Sequence, residues 1–471
     1  MIAAIANTFS NCFKIPELKS RIIFTFLVLA ICRLEAVVRI PGLNGQVLFD
    51  FFQTHAQAGG GVLGMYSLFT GGALEHCAVG SLGIMPYISA TIIIQLLTAV
   101  VPQLSKLVRE EGGRTKIIQY GRYLTVILCL GQGFVMALGW ENPDRIPGFQ
   151  GIGQLVMYDP SHMWWYRIQT TIILTTGTML LMWLGEQITD RGIGNGVSLV
   201  ITIGILARLP QAARGLQDLL FPPGGADATK NIGHAVALIL LLAGVIAGVI
   251  AITQAQRKVP VQYAQRAVGL KIYQGQTSFM PLRVNYAGVM PIIFAQAILM
   301  FPQMFFQKIY EAIGTTHNPG TKFLSDVSHR LALLLGERSY FYLAVYGLMI
   351  LFFSYFWVAT QFNELQIADD LKKNGGYIPG VRPGQATSDY LHNAMSRVTL
   401  AGAVFLVIIA IIPLMLYRQM DIPMQVAQFF GGTSMLILVG VLLDTMRKME
   451  THLLMRHYDG FLKKGRLRGR F

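Results

Sequence analysis

Ten stretches of about 20 residues, each apolar and nearly free of charge, dominate this 471-residue chain and limit what it can become. They run over 22–41, 82–101, 117–140, 163–184, 193–210, 232–253, 286–306, 339–360, 398–417 and 425–443. Backbone groups cannot stay unpaired in hydrocarbon, so segments of this kind are helices. The alternating ten-residue segments of a membrane barrel are absent. Only 13% of residues are charged and the mean hydropathy is +0.50, whereas a soluble domain carries about 25% charge. Disorder, a disulfide scaffold and an ordinary cytosolic enzyme are thereby excluded. The first stretch follows Lys19 and Arg21 as a signal peptide would, but no small-residue cleavage site follows, and it is read as a retained span.

An even number of spans puts both termini on one side. The segments on that side hold 25 Lys and Arg; the opposite loops hold nine. Positive charge favours the cytoplasm, so both termini are expected there. The net charge of +14 is largely this bias, which makes it weak evidence for nucleic acid. Arg33, Arg122, Arg167 and Arg208 sit inside span ends, and Glu35 with Arg39 is expected to form a neutralising pair four residues apart on a helix. Cys12, Cys32, Cys77 and Cys129 show no metal-ligand spacing, and no disulfide or redox role is assigned to them.

One stretch is too short to span. Gly59–Gly61 and Gly64 precede an apolar piece, Met65 to Thr70, followed by Gly71-Gly72, Glu75-His76 and the full span from Leu82. It reads either as a re-entrant half-helix surrounded by protein or as an amphipathic surface helix. Gly83-Ile-Met-Pro86 opens the second span and Gly288-Val-Met-Pro291 opens the seventh. These positions correspond if spans 1–5 and 6–10 are inverted repeats, an arrangement that commonly places a path between two halves. No catalytic, phosphate-binding or metal motif is present. Five spans lack any Asp, Glu, Lys or Arg, which argues against ion coupling. Pattern alone leaves open a channel, a carrier of a neutral solute, or a scaffold without a pore.

Longer strings narrow this. Leu82-Gly-Ile-Met-Pro-Tyr-Ile-Ser89, Trp183-Leu-Gly-Glu-Gln-Ile-Thr189 with Arg191-Gly-Ile-Gly-Asn-Gly196, Pro281-Leu-Arg-Val-Asn285, Ile378-Pro-Gly-Val-Arg-Pro-Gly384 and Gly431-Gly-Thr-Ser434 resemble the SecY family of bacterial protein-translocation channels. The resemblance runs in order from about residue 16 to the basic tail. It implies an all-α membrane protein of ten transmembrane helices, in two pseudo-symmetric inverted five-helix halves around a central pore. The expected organisation is a cytoplasmic amphipathic segment 1–21, an N-terminal half 22–212 with a re-entrant plug 65–79, an external connection 213–231, a C-terminal half 232–443 and a basic cytoplasmic tail 444–471.

The resemblance also implies function: secretory chains cross through the centre, and hydrophobic segments leave into lipid between spans 2 and 7. No cofactor, metal or enzymatic activity is implied. The family's pore ring falls on Ile84, Ile88, Val197, Ile201, Ile293 and Ile437. Aliphatic groups there neither hold a passing chain nor stay wet when idle. The plug is expected to include Met65, Phe69, Gly71, Gly72, Leu74 and Val79, its apolar side under the ring and Glu75 and His76 facing a wet funnel. Ser89 and Gln95 on span 2, with Asn285 and Phe301 on span 7, are the lateral-gate candidates. Arg382, Arg257, Lys258 and Arg266 in loops 254–285 and 361–397 are candidates for docking the SecA motor or the ribosome. SecE and SecG are the implied neighbours, and the implied location is the bacterial plasma membrane. Glu35, Gln265 and Glu364 depart from the family pattern.

Overall fold

A computed structural model describes residues 15–464 apart from 56–66, 68–69, 111, 144–152, 221–227, 264–265, 269–270, 274–276, 314–318, 337–338 and 421–432. Each of the ten expected spans falls wholly or partly on a helix. In the first half these are α1 Pro16–Glu35, α3 Met85–Val100, α5 Gly113–Glu141, α6 Met163–Arg191 and α7 Gly196–Leu206. Between and after them lie α2 Gly45–His55, α4 Pro102–Arg109 and α8 Leu209–Leu220. In the second half they are α9 Ala228–Gln254, α10 Met290–Ile313, α12 Tyr340–Gln361, α14 Gln385–Met420 and α15 Thr433–Lys464, with α11 Pro319–Leu334 and α13 Glu364–Lys373 between. Among the described residues, six stretches are long and apolar enough to cross a membrane: Val79–Thr98, Thr115–Glu141, Pro160–Arg191, Gly196–Gly215, Tyr340–Lys373 and Gln385–Ile412.

The chain divides into two compact units. One comprises Met1–Gln217, Pro423–Gln425 and Val441–Phe471; the other comprises Asp218–Ile422 and Val426–Gly440. The first division lies inside the expected connection 213–231, but the end of the last helix belongs with the first unit. Its Met449 shares an apolar cluster with Leu18, Ile22 and Ile193.

In the first unit, α5 packs on α6, α6 on α7, and α1 on both α6 and α7. The glycine-rich string before α7 explains how tightly. Asn195 caps α7, its side-chain oxygen accepting from Ser198 N. Gly196 lies against the Gly185 carbonyl, where a Cβ would land on the oxygen. Thr189 Oγ1 donates to Gly185 O and accepts from Gly196 N, at 3.0 and 2.9 Å. Thr25 Oγ1 on α1 accepts from Ile193 N at 3.1 Å, so the same turn is tied to the first span.

In the second unit, α10 packs on α11 and α12, and α12 on α14. The loops are not purely irregular, so the expectation of an all-helical chain needs one addition. Strands β1 Gln256–Tyr263 and β4 Thr277–Arg283 pair antiparallel from Gln256↔Arg283 to Gln262↔Thr277, and β5 Gly376–Tyr377 adds to the other edge of β1. β2 Arg266–Val268 and β3 Lys271–Tyr273 form a separate hairpin. Val259 and Leu282 are buried with Val358, Phe362, Ile378 and Leu391, which roots the sheet on the ends of α12 and α14. Pro260 is tolerated in β1 because β5 pairs only with Gln262 and Tyr263, leaving that edge open opposite the missing N–H.

The two repeated tetrads have one local geometry. Gly83 and Gly288 have φ of +58° and +64°, and helices begin at Met85 and Met290, each with proline next. A left-handed glycine followed by proline in the first helical turn makes a sharp helix entry, so this repeat is structural as well as textual.

Candidate functional site

Of the half-helix expected before span 2, Ser67 is helical and Thr70 lies in a turn. Met65 and Phe69 lie outside the described residues. From Thr70 onward the chain forms turns and two 3₁₀ pieces, Leu74–His76 and Val79–Leu82, joined through Cys77 at φ +49°. Gly71 and Gly72 have φ of +63° and +89°, a conformation that glycine adopts without strain. The segment is stitched to the turn after α1: Ile40 N donates to Cys77 O and Val79 N to Val38 O, both at 2.9 Å. Leu74 is fully buried with Ile40, Leu48, Cys77, Leu82, Trp140 and Leu174, and Val79 packs against that cluster. Among the described residues, that cluster holds none of the ring candidates of the first unit.

Glu75 does not face a wet funnel. Its Oε1 accepts from Arg208 Nη2 at 2.6 Å and from Ser67 Oγ at 3.0 Å, with both charged side chains at most 10% exposed. Arg208 also donates to the Ser67 hydroxyl. Burying a charge requires a partner, and here the acid of the plug segment meets the base of the turn after α7. His76 is half-buried and stacks on Phe49 with ring centroids 4.8 Å apart.

The expected Glu35–Arg39 pair does not form. Helix α1 ends at Glu35, so Arg39 lies beyond the last turn and the four-residue geometry fails. Arg39 instead bonds Gln46 Oε1. Both Glu35 carboxyl oxygens are buried, and neither has a hydrogen-bond partner among the described residues. They adjoin a cavity of about 30 Å³ lined in part by Arg33, Thr70, Gly80, Gly83 and Ile84. Two further arginines in span ends find acids that sequence reasoning missed. Arg122 and Arg167 make two-pronged bonds to Glu186 and Glu141, at 3.0 and 2.8 Å and at 2.8 Å twice. The available signal was the cost of an unpaired charge at membrane depth, which obliges each such arginine to find an acid or a carbonyl.

Ile84 and Ile88 stand at the entry of α3, 3% and 5% exposed; Val197 is half-buried and Ile201 buried on the first turns of α7. In the second unit, Ile293 on the first turn of α10 and Ile437 near the start of α15 are both buried. Ser89 and Gln95 are half-buried on α3. Asn285 falls in the turn between β4 and α10 rather than on the helix, because the left-handed Gly288 delays helix entry to Met290. Phe301 lies within α10.

Arg257 and Lys258 are exposed on β1, and Arg266 opens β2. Arg382 is exposed at the tip of a loop rooted by buried Ile378, turned by Gly380 and Gly384 at φ +81° and +109°, and braced by Thr387 Oγ1 donating to Arg382 O at 2.9 Å. Glu364, in the first turn of α13 behind its Asn363 cap, bonds the ring of His392 on α14 at 2.9 Å. The departure at 364 therefore joins α13 to α14.

The sequence profile of the SecY family matches residues 78–446. The protein translocase subunit SecY of Thermotoga maritima is 41% identical over 470 residues, covering 98% of this chain and 99% of that one. Two solved structures cover 92% of this chain and share 16% identity with it: a protein conducting channel at a TM-score of 0.56, and a SecY protein whose plug domain stabilises the closed state of its translocation channel and maintains a membrane seal, at 0.57. A fold shared with these structures, a family profile that matches most of the chain and near full-length similarity to a translocase subunit converge: the chain belongs to the SecY family.

Proposed function

We propose that this chain is the channel subunit of a bacterial Sec protein translocon. It passes unfolded secretory proteins across the plasma membrane and releases hydrophobic segments into lipid between spans 2 and 7. At rest it is closed by Ile84, Ile88, Val197, Ile201, Ile293 and Ile437 and by the segment around Gly71–Val79. The observation that carries this reading is that segment: a short stretch of turns and 3₁₀ helix, too short to span, buried against span ends in a chain related to a translocase subunit over 98% of its length. Ser89, Gln95, Asn285 and Phe301 line the sideways exit, where polar groups bond when closed and part when an apolar segment enters. SecE and SecG flank the chain. The SecA motor and the ribosome dock on Arg382, Arg257, Lys258 and Arg266, with both termini cytoplasmic.

Site-specific crosslinking tests it. A photoreactive residue at Ile88 or Ile201, in complex with SecE and SecG, should capture a precursor stalled partway by SecA and ATP. The adduct should vanish on release. Contact at Arg382 without contact at either ring position would remove the pore assignment.

A further inference from the structure

The plug segment bends at Gly71–Gly72, and charged groups from two other elements close that bend. Ser67 lies on one arm of the hinge and Glu75 on the other, and their side chains bond each other at 3.0 Å. Arg208 Nη2 reaches both, donating to the Ser67 hydroxyl and to Glu75 Oε1. Arg33 Nη1 donates to the carbonyl of Gly71, the hinge residue itself, at 3.0 Å. Ser67 is 0% and Glu75 5% exposed, so these bonds lie where water does not compete. None of them completes a helix or a strand pair. Their common effect is to hold two arms of one hinge together and to fasten them to the ends of α1 and α7.

We propose that Arg208 is the clasp of the plug. Its triangle with Ser67 and Glu75 keeps the hinge folded, and the strength of that triangle sets how readily a substrate opens the channel; this rests on the channel reading above. Opening the hinge must part Ser67 from Glu75 and leave Arg208 with at most one of them. A substrate that binds the open state must supply that difference before the equilibrium shifts. Arg208 and Glu75 are thus positioning residues that act through the plug rather than on the passing chain.

Resting ion current through the reconstituted complex in a planar bilayer reads the clasp directly. Glu75→Gln and Arg208→Gln should each raise the resting open probability by about tenfold or more, since each leaves a buried charge without its partner. The exchanged pair, Glu75→Arg with Arg208→Glu, should return it to within about threefold of the parent, because attraction between the two survives the swap. Ser67→Ala opens two sides of the triangle and leaves the Arg208–Glu75 ion pair, so no charge is stranded. It should give a smaller rise, and it carries the test if a charge variant fails to assemble. Loss of thermal stability with no rise in resting current, or a rise that the exchanged pair leaves untouched, would overturn the clasp. Failure of the parent complex to move a precursor would instead strike the channel reading.

Discussion

Gly196→Ala is the sharpest test of how the first unit is built. A Cβ there would fall on the Gly185 carbonyl oxygen and 2.9 Å from Ile188 Cβ. The main obstacle is helix backbone, pinned by Thr189 Oγ1 to both Gly185 and Gly196, so no flexible side-chain end can give way. Overpacking of this kind costs about 1–3 kcal/mol, and the gain from replacing glycine by alanine offsets at most about 1 kcal/mol. Taking the middle of that range, about 2 kcal/mol, against the full offset leaves a net loss of about 1 kcal/mol, about fivefold in the folded-to-unfolded ratio. Gly185→Ala supplies the control across the same contact. Its Cβ would meet nothing nearer than 3.5 Å, so it should be neutral or mildly stabilising. Thermal midpoints of the detergent-solubilised complex, read by size-exclusion, separate the two. If Gly196→Ala matches the parent, or Gly185→Ala loses as much, the backbone-contact argument is wrong.

Other expectations concern charge and the ring. Arg167→Gln breaks a two-pronged, part-buried bond to Glu141 and should cost about 1–3 kcal/mol, measured by the same thermal midpoint. Glu35→Gln should leave that midpoint unchanged or higher, because neither carboxyl oxygen has a partner to lose; a fall comparable to that of Arg167→Gln would mean Glu35 is bonded after all. Ile88→Asn places a hydrogen-bonding group in the proposed ring and should raise resting ion current without lowering thermal stability by more than about 3 kcal/mol; unchanged current would remove Ile88 from the seal.

The spans were legible because hydrocarbon admits few backbone solutions: a long apolar stretch must be a helix, whatever surrounds it. The repeated Gly-x-Met-Pro tetrads were legible for a local reason as well, since glycine and proline restrict their own backbone and set the helix entries at Met85 and Met290. The strands between α9 and α10 were missed. Their pairing joins residues far apart in sequence, up to Gln262 with Tyr377, and local periodicity carries no record of such partners.

Charge shows the division most clearly. That Arg33, Arg122, Arg167 and Arg208 lie at span ends is a property of the sequence, and so is the requirement that each be satisfied. Which group satisfies it is decided by the fold. Glu75 meets Arg208 across 133 positions, and Glu186 meets Arg122 across 64. Glu35, four residues from Arg39, does not pair with it and has no hydrogen-bond partner among the described residues, because the helix that would align the two ends at Glu35 itself. Sequence determined the apolar spans and the family kinship, because those follow from local backbone limits and from strings of residues. Only the tertiary structure decided which charges pair and how the plug is held, because a hydrogen bond depends on distance in space rather than along the chain.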